Sequence, residues 1–178
     1  MVKRPLPLSK VHALLEPGPV VLLTTAHRGR VDVMTMSWHV PMEFEPPLVG
    51  CVVSDRDFSH GLLKASGECV INIPTKDLLD AVVGCGNTSG RDTDKFARFG
   101  LTPRPASMVG APLIDECFAN LECRVVDKRL ARAYCFLVLE VVKAWRDPAV
   151  KRPSTLHHEG SGTFMVAGER VVTRSRMP

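Results

Sequence analysis

Residues 33–60 read VMTMSWHVPMEFEPPLVGCVVSDRDFSH. Thr35, Ser37 and His39 alternate with bulky apolar residues, three prolines follow at 41, 46 and 47, and an apolar run leads into a serine-rich segment with an arginine. Side chains on a strand alternate between faces. Asp32, Met34, Met36, Trp38 and Val40 therefore share one, mostly core-like face. Val31, Val33, Thr35, Ser37 and His39 share the other, which turns polar toward its end, where Pro41 is expected to stop the ladder. The polar end has two readings. It is an ordinary solvated face, or it is a hydrogen-bonding rim for a flat heterocycle, with Met and Trp as polarisable surface.

Upstream, GPVVLLTTAHRGR supplies the first arm of a hairpin: Val20–Thr25 is one strand, HRGR the turn, and Val31–Val40 the return. Downstream, PPLVGCVVS is apolar on both faces and reads as a central strand. SHGLLKASG is a short helix capped by Asp57 or Ser59 and ended by Gly67. ECVINIP is a strand stopped by Pro74, and TKDLLDAVVGCG a helix with Thr75 or Asp77 as its cap. Residues 87–112, rich in Gly, Pro and Ser, form an elaborated loop with one helical piece near Asp92–Phe99. ANLECRVVDKRL and ARAYCFLVLEVVKAWRD add two strands, the second long. The tail from Pro148 lacks periodicity and is expected to wrap the body or a partner subunit. Six or so strands without regular strand–helix alternation favour an antiparallel barrel with two or three short inserted helices over a doubly wound sheet.

Composition narrows the function. The 178 residues suit one domain, 1–178, and 45% hydrophobic content supports a real core. No window approaches the roughly 20 apolar residues that cross a bilayer, and MVKRPLPLSKVHALL lacks a signal-peptide core, so a cytoplasmic protein without a membrane partner is expected. The net charge of +4 is scattered among acids, which argues against nucleic acid and suits small anions. Cysteines 51, 69, 85, 117, 123 and 135 form no C-x-x-C pair and lie mostly in apolar runs. They read as reduced core residues, with no metal site expected. HHEG at 157–160 lacks the H-E-x-x-H spacing, and G-x-S-x-G, P-loop and dinucleotide fingerprints are absent. Ser54, Arg56, Ser59 and His60 fall where a loop opens a helix, which suits a phosphate or is simply a solvated cap. In NTSGRDTDKFARFG, Gly90 permits a tight backbone, Asp92 can cap, and Lys95 lies in the helix's first turn.

Taken together, GPVVLLTT…GRVDVMTMSWHVPMEFEPPLVGCVVSDRDFSHGLLKASGECVINIP, NTSGRDTDKFARFGL and the H-x-G…F…G tail resemble the flavin reductase-like, FMN-binding split-barrel family, in its flavoredoxin-type branch. The resemblance spans roughly residues 15–170. It implies a six-stranded antiparallel Greek-key split barrel that forms a homodimer, with FMN favoured over FAD. Implied flavin contacts are Met34, Thr35, Met36, Ser37 and Trp38 along the ring and ribityl chain, and Cys51, Val52, Val53 and Ser54 on the third strand. Arg56, Ser59 and His60 would lie near the phosphate, and Ser89, Gly90, Lys95 and Phe96 would close the site. Relatives with Gly-Asp-His before the long strand set that His beside the nicotinamide. Here Tyr134 stands in its place, and His158 is the other residue able to border the open flavin face. The implied activity is flavin reduction or electron transfer fed by NADH, NADPH or a redox protein, with no catalytic side chain. A non-catalytic flavin-binding or storage module is the alternative, and a barrel for another planar ligand such as haem a further one.

Overall fold

The computed structural model describes residues 2–15 and 18–174. Its main strands are β1 (Val21–His27), β2 (Arg30–Met36), β3 (His39–Phe44), β4 (Pro47–Val52), β5 (Glu68–Ile73), β6 (Ala119–Asp127) and β7 (Phe136–Arg146). They form one antiparallel sheet in the order β2-β1-β5-β6-β7-β4-β3, and Arg4–Pro5 adds a short eighth strand beside β7. The two ends of this order, β2 and β3, are consecutive in the chain and separated only by Ser37 and Trp38. The sheet must therefore curl until its edges meet at those two residues, which makes a split barrel.

The core shows the same curvature. Val21 and Leu23, Met36, Val49 and Cys51, Cys69, Ile71 and Ile73, Leu121 and Cys123, and Leu137, Leu139 and Val141 all converge in one buried cluster inside the barrel. Leu22 of β1, and Val20 just before it, face a second cluster outside it with Val33, Val82, Cys85, Phe96 and Leu156. β1 is buried on both faces because the barrel fills one side and helices cover the other.

Two nine-residue helices are inserted: α2 (Phe58–Ser66) and α3 (Leu79–Asn87), after a single turn α1 (His12–Leu15). Leu63 of α2 packs into the barrel cluster, and Gly67 ends the helix at φ 70°. Single turns α4 (Lys95–Arg98) and α5 (Ala131–Tyr134) follow. Residues 102–116 lie over the outside of the sheet, held by buried polar groups. Asn72 Oδ1 accepts from Ile114 N–H and Asn120 Nδ2, and Glu122 accepts from Ser107 and Met108 N–H and Trp145 Nε1. Among the described residues no helix is long and apolar enough to cross a membrane.

Several expectations are corrected. The second strand breaks at Ser37–Trp38, and Pro41 sits within β3, opposite Val49 and beside a bulge. Proline is tolerated there because β3 is an edge. This break turns one expected strand into two and raises the strand count above six. It also ends the alternation, so Trp38 and Val40 are exposed. Neither Thr75 nor Asp77 caps a helix with its side chain; a 3-10 turn at Lys76–Leu78 leads into α3 instead. Asp94, not Asp92, caps α4, its Oδ1 accepting from Ala97 N–H at 3.1 Å. The tail forms a hairpin, β8 (Leu156–Gly160) and β9 (Thr163–Val166), with Leu156 in the outer cluster and its carbonyl accepting from Val20 N–H. The last four residues of the tail lie outside the described residues.

Candidate functional site

β2 is a sheet edge, and its turn decides which groups face outward. Arg28 and Gly29 have φ 48° and 78°, so a two-residue hairpin joins β1 to β2 with His27 opposite Arg30. That closing pair is hydrogen-bonded, and pairs then alternate along the ladder. Val31, Val33 and Thr35 consequently turn their N–H and C=O groups to the free edge. Lys95 Nζ finds one of them, donating to Val33 O at 2.6 Å.

Below this edge lies a buried charge network. Asp32 Oδ2 accepts from Ser59 Oγ at 2.6 Å, and Asp32 Oδ1 lies 3.3 Å from Lys95 Nζ. Lys95 also donates to Cys85 O, and Asp32, Ser59 and Lys95 are all buried. Asp32 thus ties β2, α2 and α4 together. The 86–91 loop is pressed against the same carboxylate: a Cβ on Gly90 would sit 2.0 Å from Asp32 Oδ1.

Above the network is a cavity of about 260 Å³, lined by Met34, Thr35, Arg56, Ser59, Ser89, Gly90, Arg91 and Lys95 among others. Asp57 occupies the N-cap position of α2 but makes no side-chain cap bond, and the Ser59 hydroxyl is committed to Asp32. First-turn amides have no intrahelical acceptor. His60 N–H turns back to Asp57 O, and the amides of Phe58 and Ser59 stay available to an anion, favoured also by the helix dipole. Ser54 Oγ accepts from Arg56 N–H and Ser89 Oγ from Arg91 N–H, both at 3.3 Å, so the two loops turn alike and bring two exposed guanidinium groups to the rim. Arg91 also donates to Arg56 O, linking the loops.

A second cavity of about 340 Å³ shares Thr35, Gly86 and Asn87 with the first, and adds Ser37, Val82, Val83, His158 and Phe164. The two form one groove running past Thr35, with its charged end at Arg56 and its apolar end at Phe164. Thr35 Oγ1 is itself held, donating to Val82 O.

The other expected residues are placed as follows. Met36, Cys51 and Val53 point into the barrel core and Phe96 into the outer cluster, so their side chains cannot touch a ligand in the groove. Val52 and Ser54 are half-buried at the end of β4, where Val52 N–H donates to Trp38 O. Trp38 is 71% exposed beside the split. His39 binds Pro19 O at 2.7 Å through Nε2; burial pushes its pKa down, the backbone bond opposing. His60 faces a different cavity, of about 690 Å³, on the far side of α2. Tyr134 is 70% exposed and lines neither part of the groove. Sequence reading missed Asp32 as the centre of the network, and Arg91. A buried carboxylate on a strand otherwise apolar on that face was the available signal. Among the described residues no cluster of His, Cys, Asp and Glu could hold a metal.

The sequence matches the family described as flavin reductase like domain over residues 14–164. The chain belongs to the flavin reductase-like family. The match takes in every strand of the main sheet except Arg4–Pro5, together with the whole groove. The uncharacterized protein YddH of Escherichia coli is 35% identical over 181 residues, covering 94% of this chain and 96% of that one. An uncharacterized protein of Archaeoglobus fulgidus is 37% identical over 120 residues, covering 67% and 68%. An FMN-binding domain of a flavin reductases-like enzyme from Shewanella baltica superposes with TM-score 0.89 at 26% identity, covering 97% of this chain and 98% of that one. The flavoredoxin of Desulfovibrio vulgaris superposes with TM-score 0.80 at 22% identity, over 88% and 90%, and shares the fold. FMN-binding split barrels are thus this chain's structural relatives.

The groove fits such a group by its own features. It offers uncapped amides and two guanidinium groups for a phosphate, a glycine where any side chain would strike Asp32, and an edge strand with outward-facing backbone donors and acceptors.

Proposed function

We propose that the protein is an FMN-dependent oxidoreductase that takes electrons from NADH, NADPH or a redox protein and passes them to a further acceptor. The observation that carries this is the continuity of the groove, from the uncapped start of α2 past the Thr35 edge to His158 and Phe164. The first turn of α2, Arg56 and Arg91 would hold the phosphate. Met34 and Thr35 would border the ribityl chain, and Ser37 and Trp38 the ring. When bound, FMN supplies the hydride-accepting and electron-transferring chemistry. The backbone N–H groups that β2 turns to its free edge would be the donors that favour a reduced, anionic ring. The apolar end at Val82 and Phe164 keeps water away from one side.

The active unit in this reading is a homodimer. Trp38, Val40 and Met42 lie along one side of the sheet edge and are all about half or more exposed, while the bulge after Pro41 turns Phe44 to the other side, against His12. Such an apolar stripe on an edge strand suits a second copy of the chain. Six free thiols suit a reducing compartment such as the cytoplasm.

Titrating the purified protein with FMN, then adding NADH or NADPH without oxygen, tests the reading. Saturable FMN uptake followed by bleaching of the flavin absorbance is expected. No FMN uptake at micromolar concentration refutes flavin binding. Uptake without bleaching by either nucleotide leaves the redox-protein donor or the storage role, which Tyr134 in place of a histidine favours.

A further inference from the structure

We propose that the barrel rim at Arg4 and Arg146 binds a phosphate dianion, free or carried on a small organic molecule, at a site separate from the flavin groove. The strand Arg4–Pro5 pairs with the end of β7 so that Arg4 stands directly opposite Arg146. Leu6 packs on the barrel cluster and Ala144 lies in it. With a period of two, the same face that sends these residues inward carries Arg4 and Arg146 at its rim. Like charges directly opposite on paired strands are destabilising. Lys151 comes to the same place from beyond the next turn. The three cations share a groove of about 370 Å³ whose remaining walls are Pro5, Leu6 and Pro148, with no carboxylate among them.

None of the three cations forms an ion pair with a described residue. The obvious neighbour, Asp147, is turned elsewhere: it is buried, accepts from Ala149 N–H at 2.8 Å and lies within the electrostatic reach of Lys3. Arg146 donates through one terminal nitrogen to Val150 O at 3.2 Å, while its Nε is shielded from water and has no partner. A shielded donor on a charged fork is costly to leave unmet. A tetrahedral dianion answers each feature. Its oxygens accept two parallel bonds from a guanidinium, a second guanidinium and an ammonium complete the cage, and two negative charges offset the Arg4–Arg146 repulsion. The proline and leucine walls leave room for a small organic body behind the phosphate. The residues of this groove line no part of the flavin groove.

The test is calorimetric titration at pH 7.5 and low chloride. The protein carries one equivalent of FMN, or none if FMN does not bind, so failure of the flavin reading leaves this test intact. The probes are inorganic phosphate and glycerol 3-phosphate. Saturable binding of one ion per chain is expected, weakened at least tenfold in Arg4→Ser and in Lys151→Ser, whose side chains are exposed, and lost in Arg146→Gln. Tighter binding of glycerol 3-phosphate identifies an organic phosphomonoester as the natural occupant, and equal binding the free ion. Absence of saturable heat from both probes, or heat unchanged in Arg4→Ser and Lys151→Ser, overturns the proposal. So does an Arg4→Ser melting temperature below that of the parent without phosphate, because the repulsion argument requires it to be equal or higher.

Discussion

Replacing Asp32 by Asn should unfold the cradle from below. The substitution keeps shape and leaves an oxygen able to accept the Ser59 hydroxyl, but removes the carboxylate paired with Lys95 in the buried network. Lys95 is 4% exposed and would retain only the Val33 and Cys85 carbonyls. Removing one partner of a buried ion pair costs about 3–5 kcal/mol, mostly from the uncompensated charge left behind. Urea unfolding, with the free energy taken from midpoint and slope, should therefore show a loss of about 3–5 kcal/mol for Asp32→Asn. The double variant Asp32→Asn/Lys95→Met, which leaves no charge behind, should recover most of it, since a buried pair exchanged for apolar groups is often neutral. A loss below about 1 kcal/mol, or a double variant no more stable than the single one, would refute the claim that this charge pair holds the three elements together.

Gly90→Ala places a methyl 2.0 Å from Asp32 Oδ1, so the 86–91 loop must shift; FMN affinity should fall at least tenfold, read by quenching of flavin fluorescence. Met42→Lys puts a charge in the exposed apolar stripe of β3, and light scattering should show the proposed dimer replaced by monomer at micromolar concentration. Burial pushes the thiols of Cys51 and Cys117 up and that of Cys85 up to about 11, and the hydrogen bond with Cys123, with burial behind it, pushes Cys69 up. Ellman's reagent at pH 8 should therefore titrate Cys135, half-buried, quickly and these four only on unfolding. His39 is held neutral by burial, with Nδ1 unpartnered. The unfolded chain takes up a proton near pH 6.5 that the folded chain refuses, so stability should fall as pH drops from 7 toward 5. A His39→Gln variant should show a smaller slope in its denaturant midpoint over that range.

Much of the barrel was legible because alternation survives wherever both faces of a strand are committed. VVLLTT, ECVINI and the long FLVLEVVKAWR run could only be strands, and Gly67 could only end a helix. The break at Ser37–Trp38 was not legible. Nothing in MTMSWHVP shows that the sheet curls far enough there for the chain to leave one edge and begin the other. That closure decides the exposure of Trp38, and a period-two reading carried through it puts Trp38 on the wrong side. In the groove, Thr35, Ser59 and Gly90 could be named from local chemistry. Which of them face a ligand could not, because Ser59 turns its hydroxyl inward to a carboxylate 27 positions away and Phe96 turns into a cluster built by residues far from it. Side-chain direction in loops and short helices is set by such distant contacts.

β7 pairs with β6 on one side and β4 on the other, and among the described residues no other strand bridges these two parts of the sheet. During synthesis the first 130 or so residues can therefore form only two separate pieces, one carrying β2-β1-β5-β6 and one carrying β4-β3. Each offers half of an apolar interior to water, and neither can complete the wall around it. Protection from aggregation is delivered late and all at once, when the eleven residues of β7 leave the ribosome and zip both pieces shut.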